Sequence, residues 1–214
     1  MAVVLPNSVF IHVRKTGGTW VRTAIKEMKI PNEENGPYDC EYHAGIFNLP
    51  LFLAERFTWG FVRHPVAWLK SSWAWAVLTE FPWKRTCRPA AAGHWFASCW
   101  DEQFEQFVLK YLDTYPGQVS RAQLHPLGFQ KTADGYSRSR FAADFIGRYE
   151  SLEADMIEAL RTAGEQFDSQ SCRGVARQRV GAQGPLEDAC RIDKRLEGRI
   201  LQAEKPLCDL FGYS

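Results

Sequence analysis

The sequence predicts an α/β fold: a single domain over residues 1–214, with a central parallel β-sheet flanked by helices. Three observations predict it. Apolar strand-like runs alternate with runs of helical period, and at two places a strand-like run turns directly into a helix-like one. A chain of 214 residues at 45% hydrophobic can bury a full core, and its length favours one domain with room for a subdomain.

The elements follow in order. Val3, Val4, Val9, Phe10, Ile11 and Val13 supply a β-prone run, and Gly17-Gly18 lets the backbone turn tightly with its N–H groups inward. Trp20, Val21, Ala24, Ile25 and Met28 recur on one helical face, so 9–29 reads as a first βα unit. Phe57–Val62 is a second β-prone run that ends on Arg63-His64-Pro65, with proline at the first helical position of a second unit, 57–78. Residues 79–97 hold Pro82, Trp83, Arg85, Arg88, Pro89, an alanine run and Trp95, and read as an irregular insertion. Ser98 and Asp101 read as a capping box ahead of Phe104, Phe107, Val108, Tyr111 and Leu112. Residues 116–140 show no clear period. Ala142–Glu150 reads as a strand, with Ser151 capping a helix whose apolar face is Leu152, Met156, Ile157 and Leu160. No internal repeat is visible.

Bulk properties narrow the function. A net charge of +1 argues against a nucleic-acid binder driven by overall charge, so an anion site has to come from local clustering. No apolar stretch reaches the ~18 residues of a membrane-spanning helix. Met1–Pro6 lacks the basic and long apolar regions of a signal peptide, and a cytoplasmic location is expected. Cys40, Cys87, Cys99, Cys172, Cys190 and Cys208 form no Cys-x-x-Cys pair, so no metal site is expected and six reduced thiols are the plain reading. In an oxidising compartment, Cys87–Cys99 or Cys172–Cys190 bridges are the alternative.

The chemistry concentrates at residues 10–20, Phe-Ile-His-Val-Arg-Lys-Thr-Gly-Gly-Thr-Trp. A helix N-terminus carries unpaired N–H groups and partial positive charge, and Lys15, Thr16 and Thr19 add a full charge and two hydroxyls there. Phosphate or sulfate is the expected guest. The nucleotide triphosphatase loop G-x-x-x-x-G-K-[ST] fails, because Ile11, His12, Val13 and Arg14 precede Lys15 and the glycines follow it.

Lys15-Thr16-Gly17-Gly18-Thr19-Trp20 after a hydrophobic strand instead resembles the 5′-phosphosulfate loop of sulfotransferases that use 3′-phosphoadenosine-5′-phosphosulfate (PAPS), in the wording of the carbohydrate O-sulfotransferases. Arg63, Pro65 and Ser71 match that family's 3′-phosphate element: an arginine at the strand end, a proline two residues on, a serine eight after the arginine. Arg148/Tyr149-Glu150, Leu152 and Asp155 are similar to a late segment of these enzymes, and Leu201–Tyr213 to their closing helix, so the likeness runs from about residue 9 to 213 with gaps in the middle.

The resemblance implies a P-loop-like sulfotransferase fold and transfer of a sulfuryl group from PAPS to an acceptor hydroxyl, leaving adenosine 3′,5′-bisphosphate (PAP), with no metal. It implies that Arg14, Lys15, Thr16, Gly17, Gly18, Thr19 and Trp20 hold the 5′ end and that Lys15 neutralises the departing oxygen. Arg63 and Ser71 would take the 3′-phosphate, one by its bidentate fork and one by its hydroxyl. Many family loops carry Ser or Thr where Gly18 stands, so one hydroxyl contact is absent here. Gly164–Pro185, too long for a passive loop and holding Arg173, Arg177 and Arg179 with Gly174, Gly181 and Gly184, would close on the nucleotide as a lid. Ordinary surface arginines are its other reading.

The general base is sought after the first helix, among Glu33, Glu34, Glu41 and His43. His43 comes first because imidazole titrates near neutrality, and Glu41 second. His12 and His64 read as packing or locally bonded side chains, whereas His94 and His125 are placed to face an acceptor. Most of Trp68, Trp73, Trp75, Trp83, Trp95 and Trp100 should be core, with some lining a cleft for a carbohydrate or small alcohol. Two other classes stay open. An ATP-dependent small-molecule kinase lacks its glycines before Lys15, and a non-catalytic nucleotide- or sulfate-binding module would bind PAP without turnover.

Overall fold

The structure is a computed structural model that describes residues 2–34, 45–79, 94–173, 175 and 185–214. The chain divides into two compact units, one from Met1–Arg63 with Arg121–Gln178 and one from His64–Ser120 with Arg179–Ser214.

The first unit is built on strands β1 (Ala2–Val4), β2 (Ser8–Ile11), β3 (Glu33–Glu34), β4 (Phe57–Val62), β5 (Phe129–Thr132), β6 (Gly135–Arg138) and β7 (Phe145–Arg148). Five of them form one sheet in the order β3-β1-β2-β4-β7. Its core is parallel, β2 to β4 in the register Ser8↔Phe57 and β4 to β7 in the register Trp59↔Phe145. The expected parallel sheet is thus present at its centre, and two antiparallel strands make the whole a mixed one. Pro6-Asn7 breaks the first β-prone run, Leu5 donates to the Ser8 carbonyl at 2.8 Å, and Val3 and Val4 fold back antiparallel on Phe10 and Val9. The short β3 adds a second antiparallel edge against β1.

Polar side chains lock this sheet at its ends. Glu165 accepts from the Asn7 N–H at 3.0 Å and from the Ser8 hydroxyl at 2.8 Å, while the Ser8 oxygen accepts from the Trp59 indole at 3.2 Å. Asp144 accepts from the Thr58 N–H at 2.8 Å and returns its own N–H to the Thr58 carbonyl, which sets the β4–β7 register.

Of the helices α1 (Gly18–Glu27), α2 (Leu51–Ala54), α3 (Pro65–Leu78), α4 (His94–Cys99), α5 (Phe104–Thr114), α6 (Gln118–Leu124), α7 (Leu152–Thr162), α8 (Ser169–Arg173), α9 (Pro185–Ala189), α10 (Lys194–Ala203) and α11 (Lys205–Phe211), α1 and α7 cover one sheet face. Trp20, Val21, Ala24 and Ile25 from α1 and Leu152, Met156, Ala159 and Leu160 from α7 meet Phe10, Trp59 and Phe61 in one core. Each fully buried Ile or Leu there contributes ~1.5–3 kcal/mol, and Ile25→Ala would cost ~2–5 kcal/mol. On the other face, Leu127 of a 3-10 turn lies over Gly60, close enough to leave no room for a Cβ.

Several local expectations change. Residues 116–140 are not irregular: α6, the turn His125–Leu127 and the β5–β6 hairpin lie there, and Asp134-Gly135 is the hairpin signal, closing on the pair Thr132↔Gly135. The Ser98–Asp101 capping box does not form, because Ser98 lies inside α4 and Asp101 instead accepts from the Gln103 N–H at 2.9 Å and from Lys110 at 2.8 Å. Ser151 makes no side-chain cap; its hydroxyl donates to Asp155, which also accepts from the Arg148 N–H. The strand expected over Ala142–Glu150 is only Phe145–Arg148. The closing helix is two helices, α10 and α11, parted at Glu204 with Pro206 in the first turn of α11.

In the second unit α3 is apolar on nearly every side, burying Val66, Trp68, Leu69, Trp73, Ala74 and Ala76. Trp68 stacks on Trp95, Trp73 on Trp100, and Phe96 packs on Phe107 at 5.0 Å. Of the tryptophans expected to be mostly core, Trp68 and Trp73 are buried and Trp75, Trp95 and Trp100 are half-buried; Trp83 lies outside the described residues. Cys99, Cys190 and Cys208 are buried free thiols, and Cys87 lies outside the described residues. Burial pushes all three thiols up to about 11. Among the described residues, no helix is long and apolar enough to cross a membrane.

Candidate anion site

The turn between β2 and α1 closes on itself. The Val13 N–H donates to the Ile11 carbonyl at 3.0 Å, and the Thr16 hydroxyl donates to the Val13 carbonyl at 2.8 Å. Thr16 is wholly buried, so its hydroxyl proton belongs to the turn rather than to a ligand. Lys15 adopts φ 62 and Gly17 φ 88, both left-handed. That conformation costs a non-glycine residue ~1–2 kcal/mol. Successive N–H groups in such a chain form a concave anion nest. Gly17 starts α1 without a side-chain cap, and a Cβ there would strike Leu152 at 2.6 Å and Tyr149 at 3.0 Å. Thr19 is exposed on the first turn of α1. Trp20 is buried beneath it and donates its indole N–H to the Val175 carbonyl at 3.1 Å.

Arg63, at the end of β4, is brought to this loop. Its guanidinium donates to the Lys15 carbonyl at 3.1 Å and lies over the Tyr149 ring at 4.1 Å from the centroid. Its backbone is fixed on both sides by the buried Gln123 amide, which accepts from the Arg63 N–H at 2.7 Å and donates to the Arg63 carbonyl at 3.0 Å. Two cations therefore share a small region. Burial first, and the Arg63 charge second, push the Lys15 ammonium down to about 8. Burial also lowers the Arg14 guanidinium below its usual value. An anion bound at this loop would favour the charged forms of Lys15 and Arg14 that burial disfavours.

The structure thus assembles Arg14, Lys15, Thr16, Gly17, Gly18, Thr19, Trp20 and Arg63 in the first unit. Ser71 lies buried on α3, in the second unit. Glu41, His43, Arg177 and Arg179 lie outside the described residues. Glu33 and Glu34 form β3. His12 is buried one residue past β2, and His64 meets Tyr213 edge to face at 5.3 Å. His125 packs against the Phe47 ring at 5.3 Å, and burial lowers its pKa. Tyr149 and Gln123 were given no site role by the sequence reading. Tyr149 was visible as part of the Tyr-Glu segment, whereas Gln123 lies in the stretch without a period and carried no signal.

Comparisons of the chain with family models, with curated proteins and with solved structures found no match.

Proposed function

We propose that this chain is a sulfotransferase of the P-loop-like fold, which moves a sulfuryl group from PAPS to an acceptor hydroxyl on a carbohydrate or small alcohol. The observation that carries the reading is the left-handed Lys15–Gly17 turn that opens an uncapped helix with Arg63 bound to its backbone. A 5′-phosphosulfate would sit on the N–H groups of the turn and Thr19, with Lys15 at the bridging oxygen. Arg63 would take the 3′-phosphate that separates PAPS from plain adenylates.

The acceptor oxygen attacks sulfur as the bond from sulfur to the 5′-phosphate oxygen breaks, and that oxygen leaves with the electron pair. Lys15 stabilises the charge it gains, and the acceptor proton passes to His43 or Glu41.

A thermal-shift comparison tests this first. PAP at 100 times its Kd would stabilise the protein by ~2.7 kcal/mol, a rise on the order of 5–10 °C, while ATP with Mg²⁺ would give far less. Labelled PAPS offered with candidate acceptors then has to yield labelled product. A shift with ATP–Mg²⁺ alone would point to a kinase, and PAP binding without turnover to a binding module.

A further inference from the structure

Gly18, the first residue of α1, is pressed against His12. A Cβ built on Gly18 would overlap Cδ2 and Nε2 of the imidazole. The ring is buried and lies alongside Phe10, with centroids 6.1 Å and planes 18° apart. Phe10 is itself wholly buried against Trp59, 4.7 Å away, and Phe61. A side chain at 18 would thus have to push an aromatic stack that forms the middle of the sheet core, where packing gives little. Burial holds the imidazole neutral, at about 3, so the ring adds shape and a polar edge to the loop but no charge.

We propose that His12 is a positioning residue of the anion loop: its ring edge fills the place of a side chain at position 18 and fixes the depth of the first N–H groups of α1. This rests on reading the loop as the PAPS site and adds to it a residue on the strand side. It also accounts for a glycine where a hydroxyl residue would otherwise donate, since His12 and Gly18 fit only as a pair.

The test is a double-mutant cycle read by calorimetric binding of PAP to the full chain. Gly18→Ala and His12→Ala are each expected to weaken PAP by ~10-fold, and the double variant by about the same ~10-fold instead of ~100-fold, because removing the ring makes room for the methyl. His12→Asn, which keeps a polar edge, is expected to stay within ~3-fold of wild type. If Gly18→Ala alone does not yield folded protein, the same coupling is read as its recovery in the double variant. Losses that multiply, no recovery, or His12→Ala binding like wild type would each overturn the assignment while the PAPS reading stands. Failure of the wild-type chain to bind PAP overturns the PAPS reading and this inference with it.

Discussion

The turns that follow β2 and β4 are of one topological kind, yet they offer an anion different things. Both strands are parallel neighbours in the sheet and both lead into a helix. After β2, Lys15 and Gly17 turn left-handed and α1 begins with no side-chain cap, so this turn presents backbone N–H groups. After β4, His64 stays at φ −46 and ψ 128, and Pro65 takes the first helical position without an N–H to give. That turn contributes a side chain, Arg63, and the side chain reaches back to the first turn through the Lys15 carbonyl. The helices differ likewise: α1 buries one face, while α3 is buried on most of its circumference. A βα unit is thus only a scaffold, and the sign of φ at Lys15 and Gly17 goes with a turn that presents its backbone, where the turn after β4 presents a side chain.

The largest expected effect breaks the comparison at Lys15. Lys15→Ala should cost turnover ~100-fold or more, ~3 kcal/mol of transition-state stabilisation, while PAP binding measured by calorimetry weakens far less. Near-normal turnover would remove Lys15 from the chemistry. Arg63 comes next. Arg63→Ala should weaken PAP by ~10–100-fold and adenosine 5′-monophosphate only slightly, as losing a charge-assisted fork predicts. Equal weakening of both would make Arg63 a strut for the Lys15 turn and not a reader of the 3′-phosphate.

A smaller effect sharpens the difference by pH. Lys15 is lowered to about 8, so its ammonium loses its charge as pH rises through that value, and a bound anion raises the pKa again. PAP affinity should fall by up to ~10-fold per pH unit above ~8, with protons taken up on binding. Calorimetry in buffers of different ionisation enthalpy reads that uptake. A flat profile, or one unchanged in Lys15→Arg, would refute the assignment.

The smallest effect lies outside both turns and serves as their control. Glu204 in the second unit is buried and accepts from Gly117 N–H at 3.0 Å and from the Ser120 N–H and hydroxyl at 2.6 Å. Burial outweighs these donors and raises it from 4.5 to about 7. The folded state therefore holds the proton more tightly, so this stabilisation is complete below pH 4.5 and is lost as pH rises through about 7. The thermal midpoint should fall by a few degrees between pH 5 and 8, and Glu204→Gln should flatten that slope without moving PAP affinity. An equal slope in Glu204→Gln would exclude Glu204 as its source.

Local rules made the two βα units legible. Trp20, Val21, Ala24 and Ile25 at helical spacing are buried together, and Pro65 starts α3 where a first-position proline belongs. The β5–β6 hairpin was legible at Asp134-Gly135 and passed over, because one turn signal inside a stretch without period weighs little against its surroundings. The capping roles of Ser98 and Ser151 failed for another reason. Ser98 is inside α4, where no cap can form, while Ser151 does stand at the N-cap position of α7 but turns its hydroxyl to Asp155.

By itself the sequence determined the α/β class, the two strand–turn–helix units and the cationic, glycine-bearing turn after the first strand, because period, proline and glycine act over a few neighbouring residues. Tertiary structure alone decided that the first run folds back as a hairpin, that Thr16 spends its hydroxyl on Val13, and that Gln123 and Tyr149 hold Arg63 against Lys15. Residues 15, 63, 123 and 149 are far apart along the chain. Their meeting depends on strand register and on what packs behind each strand, neither of which leaves a mark within any short window of sequence.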